Sequence, residues 1–230
     1  MTSVGIDARA AAEVPAGRGR FVRELLRALA ERDDDHRYFL YARDRWEEPL
    51  DERFSWRTIK ASDPLWHLRA ARRASRECNV FFSTNSYLTA WFTTVPTALN
   101  IFDLIAWEVP AEAQRRAAAI ERATIGAALR RAASVICNAE STRRDLLRRW
   151  PTTNAKTAVV PLAASPVFLR ERTAEQLENV RRHFRLERPF VLAVGTIEPR
   201  KNLGRLVEAF VQLPSDQRST YELAVVGPRG

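Results

Sequence analysis

The chain has 230 residues, 46% hydrophobic and 28% charged. That usage excludes a disordered, collagen-like or disulfide-stapled protein. At about 150 residues per domain the length falls between one domain and two. Lys and Arg number 37 against 28 Asp and Glu, a net charge of +9, and only Lys60, Lys156 and Lys201 are lysines. So strong a bias to Arg reads as genome composition before it reads as guanidinium chemistry.

The elements alternate along the chain. Residues 3–7 form a short apolar strand, followed by a small-residue loop over 10–19 and a helix over 20–32. That helix has Phe21, Val22, Leu25, Leu26 and Leu29 at spacings of three and four. Strands are expected at 38–41, 56–59, 80–82, 97–101, 134–137 and 157–160, with helices at 66–77, 111–132 and 142–150. The last helix carries a Thr142…Asp145 capping pattern after Ser141. Strands alternating with helices imply crossovers and a parallel sheet, so residues 1–165 read as one doubly wound α/β domain.

The rhythm breaks over 161–172. A charged helix over 173–185, with Leu177, Val180 and Phe184 on one side, serves as a linker within 166–188. From residue 189 the rhythm restarts with a strand at 190–194, a loop, a helix at 202–213 and a strand at 221–226, before Gly230. One βαβ unit does not cover both faces of its own sheet. Residues 189–230 therefore read as the first βαβ unit of a second, incomplete domain.

Cys78 and Cys137 match no metal-ligand spacing and read as buried small apolar residues. His36, His67 and His183 are scattered, and no metal is expected. The N-terminus lacks a signal-peptide pattern, and no apolar run approaches the ~20 residues that span a bilayer. The expected product is cytoplasmic, or attached to a membrane only at its surface.

The loop Gly195-Thr196-Ile197-Glu198-Pro199-Arg200-Lys201 lies at the carboxyl end of a parallel strand, where open α/β sheets bind ligands. It leads into a helix N-terminus whose free N–H groups and dipole favour an anion. Arg200 and Lys201 add two cations, Asn202 is placed as N-cap, and Gly195 leaves room for a ligand. The arrangement suits a diphosphate; a solvated basic turn before a capped helix is the plainer alternative. Neither a Walker A sequence nor G-x-G-x-x-G is present, which argues against P-loop and nicotinamide enzymes.

V-G-T-I-E-P-R-K-N-L over residues 194–203 resembles the nucleotide-sugar site of family 4 glycosyltransferases. The segments V-G-I-D-A-R…A-G-R-G-R-F-V-R-E-L-L-R-A-L over 4–29, I-F-D-L-I-A-W-E-V-P over 101–110, C-N-A-E-S-T-R-R-D-L-L over 137–147 and V-V-P-L-A-A-S-P-V-F over 159–168 resemble parts of the same family's first domain. The resemblance implies the GT-B fold: a Rossmann-like doubly wound domain on the acceptor side and a second Rossmann-like domain that binds the donor, here incomplete. It implies a retaining transferase working by front-face transfer from a nucleotide-diphosphate sugar, with no metal or other cofactor. Likeness to mannosyltransferase-like members tilts the donor toward GDP-mannose. The acceptor would be a glycan or lipid-linked molecule of cell-surface polysaccharide synthesis.

Carried over residue by residue, Arg200 and Lys201 contact the donor diphosphate, with Gly195, Thr196 and Asn202 beside them. Thr196 stands where many relatives have another Arg. Phe102 stands where the family often has His and removes imidazole chemistry there. Asp103 is retained, to contact an acceptor or to hold its loop. Gly17 and Gly19 either admit the donor phosphates or serve a loop that needs positive φ; Arg18 and Arg20 would then face the cleft. The two glutamates, seven residues apart, that complete the family's donor site are not in this chain, so the resemblance implies a chain that is inactive by itself.

Nucleic acid is not expected as a partner, because the arginines spread over all helices without a recognition motif. An anionic membrane surface is better motivated, by Arg115, Arg116, Arg122, Arg130 and Arg131 on one helix and by Trp66, Trp91 and Trp107. A solvated Arg-rich face is the alternative. A non-catalytic Rossmann-like binding module is the rival function, and the E-P-R-K-N loop argues against it.

Overall fold

The computed structural model describes residues 1–14, 17–84, 86–108 and 115–228, without side chains at 108, 115–117 and 200. In chain order the first unit runs β1 (Ser3–Asp7), α1 (Arg9–Glu13), α2 (Arg18–Ala30), β2 (Arg37–Ala42), β3 (Phe54–Thr58), α3 (Leu65–Glu77), β4 (Val80–Ser83), α4 (Tyr87–Phe92), β5 (Thr97–Ile101), α5 (Ile105–Glu108), α6 (Arg115–Arg131), β6 (Ser134–Cys137), α7 (Glu140–Arg149) and β7 (Thr157–Val159). The strands form one sheet in the order β3-β2-β1-β4-β5-β6-β7. Every neighbouring pair is parallel.

The sheet is covered on both faces, as a parallel sheet requires. Adjacent residues of β2 show it. Leu40 packs with Ile6 and with Val22 and Leu26 of α2, whereas Tyr41 packs with Phe81 and with Trp66, Ala70 and Ala74 of α3. Further along the α3 side, Leu99, Ile101, Val135 and Cys137 pack on Ala90 of α4, Ile125 and Leu129 of α6 and Leu146 of α7. Cys78 and Cys137 are free and buried, and burial pushes both thiols up, Cys137 to about 11. They are core residues, as their spacing implied.

The second unit covers Ala164–Gly230 and the first Met1–Ala163. It holds α8 (Ala174–Phe184), β8 (Phe190–Val194), α9 (Leu203–Val211), α10 (Ser215–Thr220) and β9 (Glu222–Val226). β8 and β9 pair in parallel. The helix read as a linker falls inside this unit: Leu186 N bonds Arg181 O at 2.8 Å, and Arg188 N reaches Glu222 Oε1 at 3.1 Å. Thr173 and Gln176 form a capping box that opens α8. Leu177, Val180 and Phe184 are 51–60% exposed.

Several boundaries differ from those read in the sequence. The loop over 10–19 contains α1, and α2 starts at Arg18 rather than 20. α7 starts at Glu140, with Ala139 at the cap position and no capping side chain. The Ser141–Thr142 cap is therefore not formed. Short α4, α5 and α10 had no periodic signal.

Leu99 is fully buried between α4, α6 and α7. Leu99→Ala is expected to cost the first unit about 2–5 kcal/mol in denaturant unfolding, and Leu177→Ala on α8 less than about 0.5 kcal/mol. Equal losses would contradict this placement of the core.

Candidate functional site

The carboxyl ends of the first sheet are joined by buried polar groups. Thr84 Oγ1, after β4, donates to Asp7 O at the end of β1, 2.7 Å away. Asn100 Nδ2 of β5 donates to Asn138 Oδ1 beyond β6 (3.1 Å), and Asn138 Nδ2 donates to Val160 O beyond β7 (3.2 Å). Asp7 is 2% exposed and accepts from the Arg9 guanidinium, which lies 4.0 Å over the Trp66 ring. These bonds fix the edge from which the loops leave.

Gly17 caps α2 at φ 53°, in open space, so its backbone requires glycine whether or not a ligand approaches. Gly19 is buried, and a Cβ there would stand 1.7 Å from Val14 O. Packing of α2 on the end of α1 explains this glycine; its Cα faces protein. Arg18 and Arg20 are exposed in the first turn of α2.

Phe102 packs edge-on against Phe21 of α2, ring centroids 5.1 Å apart. Its carbonyl accepts from Thr142 Oγ1 at 3.0 Å. Thr142 therefore ties α7 to the loop after β5 instead of capping a helix. Asp103 is exposed, and its Oδ1 accepts from Ile105 N at 3.2 Å, opening α5. Of the two roles open to Asp103, this bond shows the loop-holding one.

Next to Asp103 the structure brings two residues that the sequence did not single out. Glu121 of α6 has Oε1 buried with no hydrogen-bond partner among the described residues. Burial, then the charge of Asp103, pushes its carboxyl up to about 7, against the opposing charges of Arg18 and Arg122. Burial, with Glu121 and Asp103, raises the Tyr87 hydroxyl well above its ordinary range. The one signal in the sequence was an acidic residue amid the arginines of that helix.

Asp63, His67 and Ser86 align as carboxylate, imidazole and hydroxyl: His67 Nε2 lies 3.2 Å from Asp63 Oδ1, and Nδ1 2.8 Å from Ser86 Oγ. Ser86 is 4% exposed and caps α4 by accepting from Thr89 N. Burial, then Arg9, lowers the His67 pKa. The buried His67–Ser86 pair, open to solvent only through Asp63, holds α3 to α4, and the Ser86 hydroxyl is committed to the cap. Among the described residues, no group of three or more His, Cys, Asp or Glu is placed to hold a metal.

In the second unit, β8 ends at Val194, and a 3-10 turn over Pro199–Lys201 leads into α9. Gly195 N bonds Val226 O at 2.9 Å and Ile197 N bonds Pro228 O at 2.8 Å, so the loops after β8 and β9 lie side by side. Leu206 N is the first to reach Asn202 O, at 3.3 Å. The N–H groups of Leu203, Gly204 and Arg205 thus stand at the helix mouth without an intrahelical acceptor. A depression lined by Ile197, Glu198, Pro199, Asn202, Leu203 and Gly204 opens there.

Asn202 occupies the cap position in the left-handed region (φ 50°) and makes no side-chain cap bond, contrary to its reading as a capping side chain. Its left-handed backbone turns the chain into the helix. Lys201 is exposed, its Cε 3.6 Å from where a Gly195 Cβ would stand. Thr196 is half-buried beside it. Arg200 lies in the turn, and its side chain is outside the described part of the structure. The loop residues Gly195, Thr196, Lys201 and Asn202 are thus gathered at one helix mouth. Gly17, Gly19 and Asp103 belong to the other unit.

Residues 15–166 match Glycosyltransferase Family 4. O-antigen chain mannosyltransferase B of Escherichia coli is 27% identical over 96 residues, 42% of this chain and 25% of that protein. The crystal structure of Anabaena HepE with UDP and glucose superposes with a TM-score of 0.69 at 13% identity, over 99% of this chain and 61% of HepE. The lipopolysaccharide outer core galactosyltransferase WaaB, in its apo form, superposes with a TM-score of 0.57 at 10% identity, over 99% of this chain and 61% of WaaB. The chain therefore spans about three fifths of the length of these structures and shares their GT-B fold class.

A carboxyl at about 7 when folded and near 4.3 when unfolded makes the folded protein hold the extra proton between those values. Stability therefore falls as pH rises through that window, and the loss is complete above it. Glu121→Gln is expected to gain about 2–3 kcal/mol on the parent between pH 4 and pH 8.5 in urea unfolding. Parallel pH profiles would show that Glu121 titrates normally.

Proposed function

We propose that this chain, which belongs to glycosyltransferase family 4, holds the diphosphate of a nucleotide-sugar donor between β8 and α9 and offers the carboxyl edge of its first sheet to the acceptor. The observation that carries the reading is the mouth of α9: at the end of a parallel strand, the first three N–H groups have no intrahelical acceptor among the described residues, a depression opens beside them, and Lys201 stands just before it, near Gly195. In this reading residues 1–165 are the acceptor-side domain, 166–188 connect, and 189–230 begin the donor-side domain.

The chemistry follows from where charge develops. Breaking the bond from the anomeric carbon to the donor leaves charge on the diphosphate. Lys201, Arg200 and the N-terminus of α9 stabilise that charge without moving. An acceptor hydroxyl forming its bond to the anomeric carbon on the face the diphosphate leaves, and passing its proton to the departing phosphate oxygen, retains the anomeric configuration, and no protein nucleophile is required. Phe102 contributes an apolar ring and a carbonyl there, not an acid or base.

GDP-mannose as donor, and cell-surface polysaccharide as the product's setting, draw support from the likeness to O-antigen chain mannosyltransferase B. HepE, solved with UDP and glucose, makes a uridine donor the competing choice. Calorimetric titration of this chain with GDP, UDP, GMP and UMP separates them. Both a guanine and a uridine diphosphate should bind more tightly than the monophosphate, and the tighter diphosphate identifies the donor base. Lys201→Ala removes a charge-assisted contact and is expected to weaken diphosphate binding about tenfold or more. Unchanged affinity would remove Lys201 from the site.

A further inference from the structure

We propose that the amino-end edge of the first unit, where α3, α4 and α6 terminate, docks on an anionic bilayer surface through Trp91 and Phe92. The three helix ends converge there. Thr94 N, two residues beyond α4, donates to Ser75 Oγ of α3 at 2.9 Å. Arg131 at the end of α6 donates to Thr93 O at 3.1 Å. Phe81 N, at the start of β4, bonds Pro96 O at 2.9 Å, which places the patch at the amino ends of β4 and β5. This is the edge opposite the carboxyl-end loops of the same sheet.

Trp91 and Phe92 are the last residues of α4, stacked with centroids 5.3 Å apart and planes 8° apart, and 39% and 37% exposed. The adjoining helices carry exposed Arg72 and Arg76 (α3) and Arg131 (α6), with no acidic partner among the described residues. The nearby carboxylate, Glu77, is engaged by Arg57 and Arg73 at 2.8 Å each. Arginines in the last turn of a helix suit its dipole without any partner. Two large exposed rings at the same spot have no such account. Rings that enter the headgroup layer, with cations on the adjoining helices that meet anionic lipid, fit both features.

The structure also narrows the aromatic set. Trp66 is fully buried, and Trp107 packs edge-on against Trp150, 5.5 Å away. Of the three tryptophans considered as interfacial, Trp91 remains, joined by Phe92. The two rings cover one another's faces, which disfavours a base-stacking platform for single-stranded nucleic acid. No helix among the described residues is long and apolar enough to cross a membrane, so the contact is peripheral. The inference does not depend on the diphosphate site: failure of the Lys201 test leaves it standing.

The full chain is sedimented with vesicles of phosphatidylcholine alone and with about one third phosphatidylglycerol. It should bind the mixed vesicles and not the neutral ones, less so as salt rises. Trp91→Ser with Phe92→Ser should lower partitioning about tenfold, and Arg72→Gln with Arg76→Gln about fivefold per arginine. Arg170→Gln with Arg182→Gln, on the second unit, should leave it unchanged; an unaltered thermal midpoint confirms that each variant is folded. Equal binding to both vesicles, insensitivity to the aromatic pair, an equal loss on removing Arg170 and Arg182, or displacement by a single-stranded oligonucleotide in place of lipid each overturns the proposal.

Discussion

Parallel pairing is the constraint from which the rest of the molecule follows. Seven strands running one way send every connection back across a face of the sheet, and the return path of choice is a helix. All strand carboxyl ends then lie at one edge and all amino ends at the other. The returning helices are aligned too, with their positive N-termini at the carboxyl edge and their negative C-termini opposite. One edge thus favours anions and the other favours cations before any side chain is chosen. The pairing of β8 with β9 repeats the rule in the second unit.

The side chains elaborate each edge. At the carboxyl edge of the first sheet, the buried Thr84–Asp7 bond and the half-buried Asn100–Asn138 bond fix where the loops depart. Beyond them Asp103 stands close enough to Glu121 to help push its carboxyl up, and Phe102 and Phe21 add an apolar surface. In the second unit the same geometry sets the N-terminus of α9 beside Lys201, with Glu198 in the lining of the depression. At the amino edge the last turns of α3 and α6 carry arginines, and α4 ends on Trp91 and Phe92.

The parallel framework was legible in the sequence because it rests on periodicity. The strands over 134–137 and 190–194 coincide residue for residue with β6 and β8. Of the apolar positions of the helix over 20–32, α2 buries Val22 and Leu26 and packs Phe21 and Leu29 partly buried against the same core. The loop over 195–202 was legible because strand, basic turn and helix follow one another in sequence. What escaped depends on distant contacts. Thr142 looked like a helix cap, but its hydroxyl bonds Phe102 O, forty positions away. Glu121 carries no signal in the sequence beyond an acid on an Arg-rich helix, yet folding buries one of its oxygens beside Asp103. Gly19 looked like room for a ligand, but the end of α1, which has no period of its own, occupies that space.

The central claim is that the mouth of α9 takes a diphosphate, and amide chemical shifts read it directly. Titrating UDP or GDP into isotope-labelled chain should move the Leu203, Gly204 and Arg205 amides first and furthest, with the nucleoside monophosphate moving them less. Shifts confined to the first unit, or equal for mono- and diphosphate, would contradict the account.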